Sequence, residues 1–194
     1  MDDRSESAAA LDDAPRKKTL AVIVIPSLVL VGLLAWGFLT SAGESPKRAP
    51  SFELTALDGG TIASEDLEGR PLVLNFWASW CVPCRQEMPA FQRMWDKYSD
   101  DGVQIVGVNV QDSAEGARAF VKELGITYPV GIDEGSLSND LHVTGLPQTF
   151  FIDSNFEFER PAHGAASKDG SRVVFGAISE EELQRRIEEL LESD

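Results

Sequence analysis

Cysteine and histidine are both scarce in this chain, two of each among 194 residues. A structural zinc site needs four ligands, and the distant pair His142 and His163 falls outside any motif spacing, so no zinc pattern is present. Basic side chains are also few. Lys and Arg total 17 against 32 Asp and Glu, a formal net charge of −15. Neutralising a phosphate backbone requires a surplus of Lys and Arg, which argues against a nucleic-acid partner. The acidity reads instead as a solvated, self-repelling surface. No internal repeat or low-complexity tract is evident, and long apolar runs are absent but for one.

That run is residues 19–40, which hold no charged side chain. As a helix it is about 33 Å long, enough for a hydrocarbon core of about 30 Å. Pro26 lies within it, which a membrane helix tolerates. Arg16, Lys17 and Lys18 abut its N-terminal end, against Lys47 and Arg48 on the other side. This bias predicts a cytoplasmic tail over 1–18, an anchor over 19–40 and an exported C-terminal part. A cleavable signal peptide is the alternative, with small residues at Thr40-Ser41-Ala42, although the apolar stretch is longer than usual for one. Residues 41–50 read as a linker, and 51–194 as one domain.

The domain alternates strand and helix. A hairpin is predicted from Phe52–Leu54 and Thr61–Ile62 around Asp58-Gly59-Gly60. There follow a buried strand at 72–76, a helix over 82–98, a strand at 103–110 and a helix marked by Ala114, Ala117, Val121 and Leu124. Strands at 128–132 and 149–152 flank a short helix at 136–142, and further strands are expected at 156–160 and 172–176. The last helix opens on the capping pair Ser179 and Glu182 and buries Leu183, Ile187, Leu190 and Leu191. Two strand–helix–strand crossovers followed by antiparallel strands predict an α/β fold with a mixed central sheet flanked by helices.

Cys81 and Cys84, the only cysteines, stand two residues apart in Trp80-Cys81-Val82-Pro83-Cys84. The stripe Cys84, Met88, Phe91, Trp95 and Tyr98 turns Cys84 to the core and leaves Cys81 at the helix start. A thiolate there faces unpaired backbone N–H groups and the positive end of the helix dipole, so its pKa falls. Cys81 is the candidate nucleophile and Cys84 the resolving thiol. Pro83 costs nothing in the first turn. A structural disulfide, a metal pair and two ordinary buried thiols are the alternatives, although a bridge over so short a loop constrains little chain entropy. Glu87, one turn beyond Cys84, is a candidate proton relay; Pro89 is expected to kink the helix beside it.

The string Asn75-Phe76-Trp77-Ala78-Ser79-Trp80-Cys81-Val82-Pro83-Cys84-Arg85-Gln86-Glu87-Met88-Pro89 resembles the active site of the membrane-anchored thioredoxin-like proteins of the TlpA/ResA/CcmG branch, marked by W-C-x-x-C-x-x-E-x-P. Gly145-Leu146-Pro147-Gln148-Thr149-Phe150 carries a second match. The resemblance implies a thioredoxin-like fold with an α/β insertion within about 103–132. It also implies a cis Pro147 facing the cysteines, with Leu146 and Trp80 at the substrate. Asn75 stands where thioredoxin has a buried aspartate, which passes proton handling to Glu87. The stretch from Pro161 to Gly170 exceeds the usual hairpin.

The function implied is reduction of protein disulfides outside the cytoplasm, such as those of apocytochrome c. Electrons would come from a membrane thiol transporter of the CcdA/DsbD kind, with no cofactor or metal. The alternative is an oxidant or isomerase of exported proteins. A thiol peroxidase of related fold would want a threonine at position 78, which holds Ala78.

Overall fold

Every residue of Leu72–Trp77 is buried, and this strand lies inside a seven-stranded sheet with neighbours on both sides. The computed structural model describes residues 48–159 and 173–192. The predicted tail, anchor and most of the linker, together with the Pro161–Gly170 stretch, lie outside them. No helix among the described residues is long and apolar enough to cross a membrane.

The strands are β1 (Glu53–Ala56), β2 (Thr61–Ala63), β3 (Leu72–Trp77), β4 (Gln104–Val110), β5 (Val130–Asp133), β6 (Gln148–Ile152) and β7 (Val173–Phe175), in the spatial order β2-β1-β5-β4-β3-β6-β7. β3, β4 and β5 run parallel, joined by α1 (Val82–Tyr98) and α2 (Ala114–Leu124). β6 is antiparallel to β3, β7 to β6, and β1 to both β2 and β5. The mixed sheet expected from the crossovers is therefore present. Residues 103–132, where the resemblance puts the insertion, supply β4, α2 and most of β5.

Alternation along β3 sorts the core. Val73 and Trp77 face one cluster with Cys84, Met88 and Phe91 of α1, Phe120 of α2, and Leu183 and Ile187 of α4 (Glu180–Glu192). Leu72, Leu74 and Phe76 face the other, beneath Leu137 of the short α3 (Ser136–Asp140) and the chain around Phe52 and Phe156. The period of two therefore turns Asn75 to the side of α1.

Local chemistry sets the helix ends. Ser113 caps α2 by accepting from Gly116 N at 3.0 Å, and Gly125 closes it at φ 66°. Ser179 Oγ accepts from Glu182 N at 3.2 Å, as the capping pair predicts. Pro89 lies within α1 without ending it.

Three expectations need correction. Of the strand expected at 156–160, the described residues 156–159 form none; the chain turns at Phe156, φ 61°, and makes only isolated bridges there, Arg48–Glu157 and Ile152–Phe158. Asp153 Oδ1 holds that turn by accepting from Glu157 N at 2.8 Å. On α1 it is Met94 that is buried, while Trp95 is only partly covered. Leu191 is likewise half-buried, whereas Arg186 of the same helix is 2% exposed.

Candidate active site

β3 ends at Trp77, and a tight turn through Ala78-Ser79-Trp80, closed by Cys81 N donating to Ala78 O at 3.1 Å, delivers Cys81 to the N-cap of α1. There the Sγ of Cys81 accepts from Cys84 N at 3.2 Å. One of the unpaired N–H groups of the helix start is thereby directed at sulfur. The two sulfurs are joined as a disulfide, with Cα atoms 5.3 Å apart. Cys84 has no exposed surface and Cys81 keeps about 4%, between the exposed side chains of Trp80 and Val82. Cys81 stands at the helix start and Cys84 in the core, as the stripe predicts, and both are buried.

Glu87 lies one turn beyond Cys84 and is 2% exposed. Its Oε1 accepts from Asn75 Nδ2 at 2.8 Å and its Oε2 from Ile178 N at 2.9 Å. Burial pushes its pKa up to about 7, against the opposing effect of those two hydrogen bonds. Asn75 Nδ2 also donates to Thr149 Oγ1 at 3.1 Å, so β3 and the approach to α4 meet at this carboxyl and β6 is tied in through Asn75. Tyr128 is buried nearby, and its pKa is raised first by that burial and then by the charge of Glu87.

Pro147 follows a cis Leu146–Pro147 bond and is buried. The register Phe76–Gln148 places it next to the end of β3, where the cysteine turn begins, and its carbonyl accepts from Gly176 N at 2.9 Å. Leu146 beside it is half-buried between the two cores. The structure thus brings Trp80, Cys81, Cys84 and Glu87 together around the start of α1, with Leu146 and Pro147 at the same end of the sheet.

Two groups at the site escaped the sequence reading. Ile178 enters through its backbone N–H, which leaves no trace in residue type. Arg85 Cζ lies 4.5 Å from the ring centroid of Phe120, whose other neighbour is the stacked indole of Trp77 at 5.1 Å. Arg85 also pairs with Glu123 at 2.5 Å, tying the first turn of α1 to α2. A cation after a cysteine pair was legible; its partners on another helix were not. Among the described residues, no group of three or more His, Cys, Asp or Glu is placed to hold a metal ion.

An assembly of this kind, a cysteine pair at a helix start above a buried carboxyl, can exchange two electrons and two protons with another disulfide. The comparisons with known proteins agree with it. Residues 46–158 match the AhpC/TSA family. The thiol-disulfide oxidoreductase ResA of Bacillus cereus (strain ZK / E33L) is 32% identical over 161 residues, covering 79% of this chain and 93% of that protein. The thioredoxin-like protein YneN of Bacillus subtilis (strain 168) is 34% identical over 146 residues, covering 71% and 84%. Among solved structures, a thiol:disulfide interchange protein of the thioredoxin family from Chlorobium tepidum TLS superposes with a TM-score of 0.67 at 28% identity, over 77% of this chain and 99% of that one. Fold, cysteine geometry and relatives coincide: the chain belongs to the AhpC/TSA family, among its thioredoxin-like members of the ResA kind.

Proposed function

We propose that this chain is a thiol–disulfide oxidoreductase that works as a reductant of protein disulfides outside the cytoplasm, held to the membrane through residues 19–40. One observation carries the direction: a carboxyl buried one turn beyond Cys84, which disfavours thiolate and so disfavours the reduced form. A dithiol whose reduced form is poorly stabilised gives its electrons away.

In the cycle, the Cys81 thiolate attacks one sulfur of the target disulfide, forming a mixed disulfide and releasing the first target thiolate. Cys84 then loses its proton to Glu87 and attacks Cys81 Sγ, which expels the second target thiolate. Two electrons pass to the target, the two released thiolates take up two protons, and the enzyme is left with the Cys81–Cys84 bond. Near neutral pH Glu87 is present in both protonation states, as a relay requires. Trp80, Leu146 and Pro147 border the place where the target strand would lie. Recharging needs a donor of two electrons and two protons, and a membrane thiol transporter of the CcdA/DsbD kind fits an otherwise oxidising compartment. Apocytochrome c is the target suggested by resemblance.

The alternative is an oxidant or isomerase using the same cysteines in reverse. A peroxidase has less support, because Ala78 is buried and offers no hydroxyl beside Cys81. The reduction potential of the full-length chain, equilibrated against glutathione or dithiothreitol and read through Trp80 fluorescence, separates these readings. A value near or below about −230 mV is expected. A value near about −120 mV would overturn the reductant and install the oxidant.

A further inference from the structure

The turn that carries Cys81 is fastened to the end of the neighbouring strand by one carboxylate. Asp112, two residues past β4, takes four hydrogen bonds on its two oxygens. Ser79 N at 2.6 Å and Asn109 Nδ2 at 3.0 Å donate to Oδ2, and Ser79 Oγ at 2.9 Å and Ser113 N at 2.8 Å donate to Oδ1. Trp80 Nε1 adds a bond to the carbonyl of Gln111 at 3.0 Å. Gln111 adopts φ 51°, a left-handed conformation uncommon outside glycine, which requires support from its surroundings. Three bonds therefore run from the Ser79-Trp80 turn to the Gln111-Asp112 loop.

The helix behind this loop makes room for it. Gly116 sits in the first turn of α2, where glycine is a poor helix former. A Cβ there would lie 3.1 Å from Ser79 Oγ, 3.2 Å from Asp112 Oδ1 and 3.0 Å from Ser113 Oγ. The absence of a side chain at 116 lets the cysteine turn and the helix start close on the same carboxylate.

We propose that Asp112 is a positioning residue for the dithiol reaction: through Ser79 it fixes the turn that carries Trp80 and Cys81, and so sets how a target disulfide is received. This rests on the oxidoreductase reading above. Asp112 lies beside the turn and accepts no hydrogen bond from either cysteine. Its effect therefore falls on binding of the target more than on the electron exchange, which belongs to Cys81 and Cys84.

The test uses the full-length chain, recycled by dithiothreitol, acting on a peptide with one intramolecular disulfide. Asp112→Asn keeps the shape but places an N–H₂ group where one of the Ser79 donors points. KM is expected to rise about tenfold while kcat stays within about twofold, the signature of lost target binding. The Trp80 fluorescence, isolated by subtracting a Trp80→Phe chain, should become more accessible to acrylamide. Ser79→Ala removes only the Oγ donor and should raise KM in the same direction by about threefold, which tests the idea even if Asp112→Asn fails to fold. An unchanged KM and Trp80 signal in a folded variant overturns the role of Asp112. A wild-type chain that reduces nothing overturns the oxidoreductase reading instead, and the Trp80 signal then judges Asp112 alone.

Discussion

Asn75 of β3 donates its Nδ2 to Oε1 of Glu87 at 2.8 Å, so the strand that leads into the cysteine turn holds the carboxyl on the helix that leads out of it. The bond spans twelve residues of chain and encloses both cysteines. Glu87 is thus held by the strand that leads into the cysteine turn, and it shares α1 with Cys84.

A stability that falls with rising pH follows from this carboxyl. Glu87 titrates near 4.5 when exposed and near 7 in the fold, so the native state holds its proton more tightly. Its favourable contribution is complete below about pH 4.5 and is lost as pH climbs through 7, about 3 kcal/mol in all. Urea midpoints of the wild-type chain are expected to drop between about pH 5 and pH 8. Glu87→Gln should remove about half of that drop, the rest belonging to Glu159, which burial also pushes up to about 7. Asn75→Ala, with Glu87 in place, deletes one donor to the carboxylate and should carry the Glu87 part of the drop to higher pH. Equal slopes in wild type and Glu87→Gln would show that Glu87 is not the titrating group.

Two strands away from β3, Gly131→Ala should destabilise the chain without altering its redox potential. A Cβ at 131 would stand 2.6 Å from Leu54 Cβ, closer than real atoms approach, at the junction of β1 and β5. The expected cost is about 1–3 kcal/mol by chemical denaturation. A shift in potential of the folded variant would mean that the β1–β5 junction communicates with the cysteines.

Arg186 and Glu159 offer a double-mutant cycle. Both are buried, 2% and 7% exposed, with Nε and Oε2 3.2 Å apart, and the guanidinium lies 4.6 Å from the ring centroid of Phe151. Arg186→Met takes away the cation that favours the Glu159 carboxylate, so Glu159 keeps its proton near neutral pH and the cost should grow as pH rises above 7, toward about 3–5 kcal/mol once the carboxylate is ionised. Adding Glu159→Gln should recover most of it, because the unpaired charge is gone. A single variant as stable as wild type would mean that the pair is solvated.

Much of this was written in the sequence where a local pattern has one physical meaning. The run Leu72–Trp77, the cysteine pair ahead of a helical stripe, and the Ser179 cap each need only neighbours within a few residues. What failed needed distant ones. Trp95 reads as a core residue by size and spacing, but Met94 fills that position once α4 is docked. Phe156 reads as the start of a strand, but Asp153 locks the chain into a turn there. Arg186 reads as surface until Glu159, 27 residues earlier, is placed under it. At the site, Glu87 was legible from its spacing to Cys84, and Asn75 stood out only through the resemblance, at the place of a buried aspartate. Asp112 gave no such hint, because its partner Ser79 lies on a different crossover.

The position of β3 within the sheet sets the reacting thiols apart from the sheet's edges. The reacting turn grows from an interior strand clamped between β4 and β6, while β2 and β7 lie at opposite margins. Those margins can lengthen, shrink or change sign of charge without disturbing the strand that aims the thiols. A lineage built on this plan is free to vary its outer strands while keeping one chemistry, since the aim of the thiols rests on the interior of the sheet.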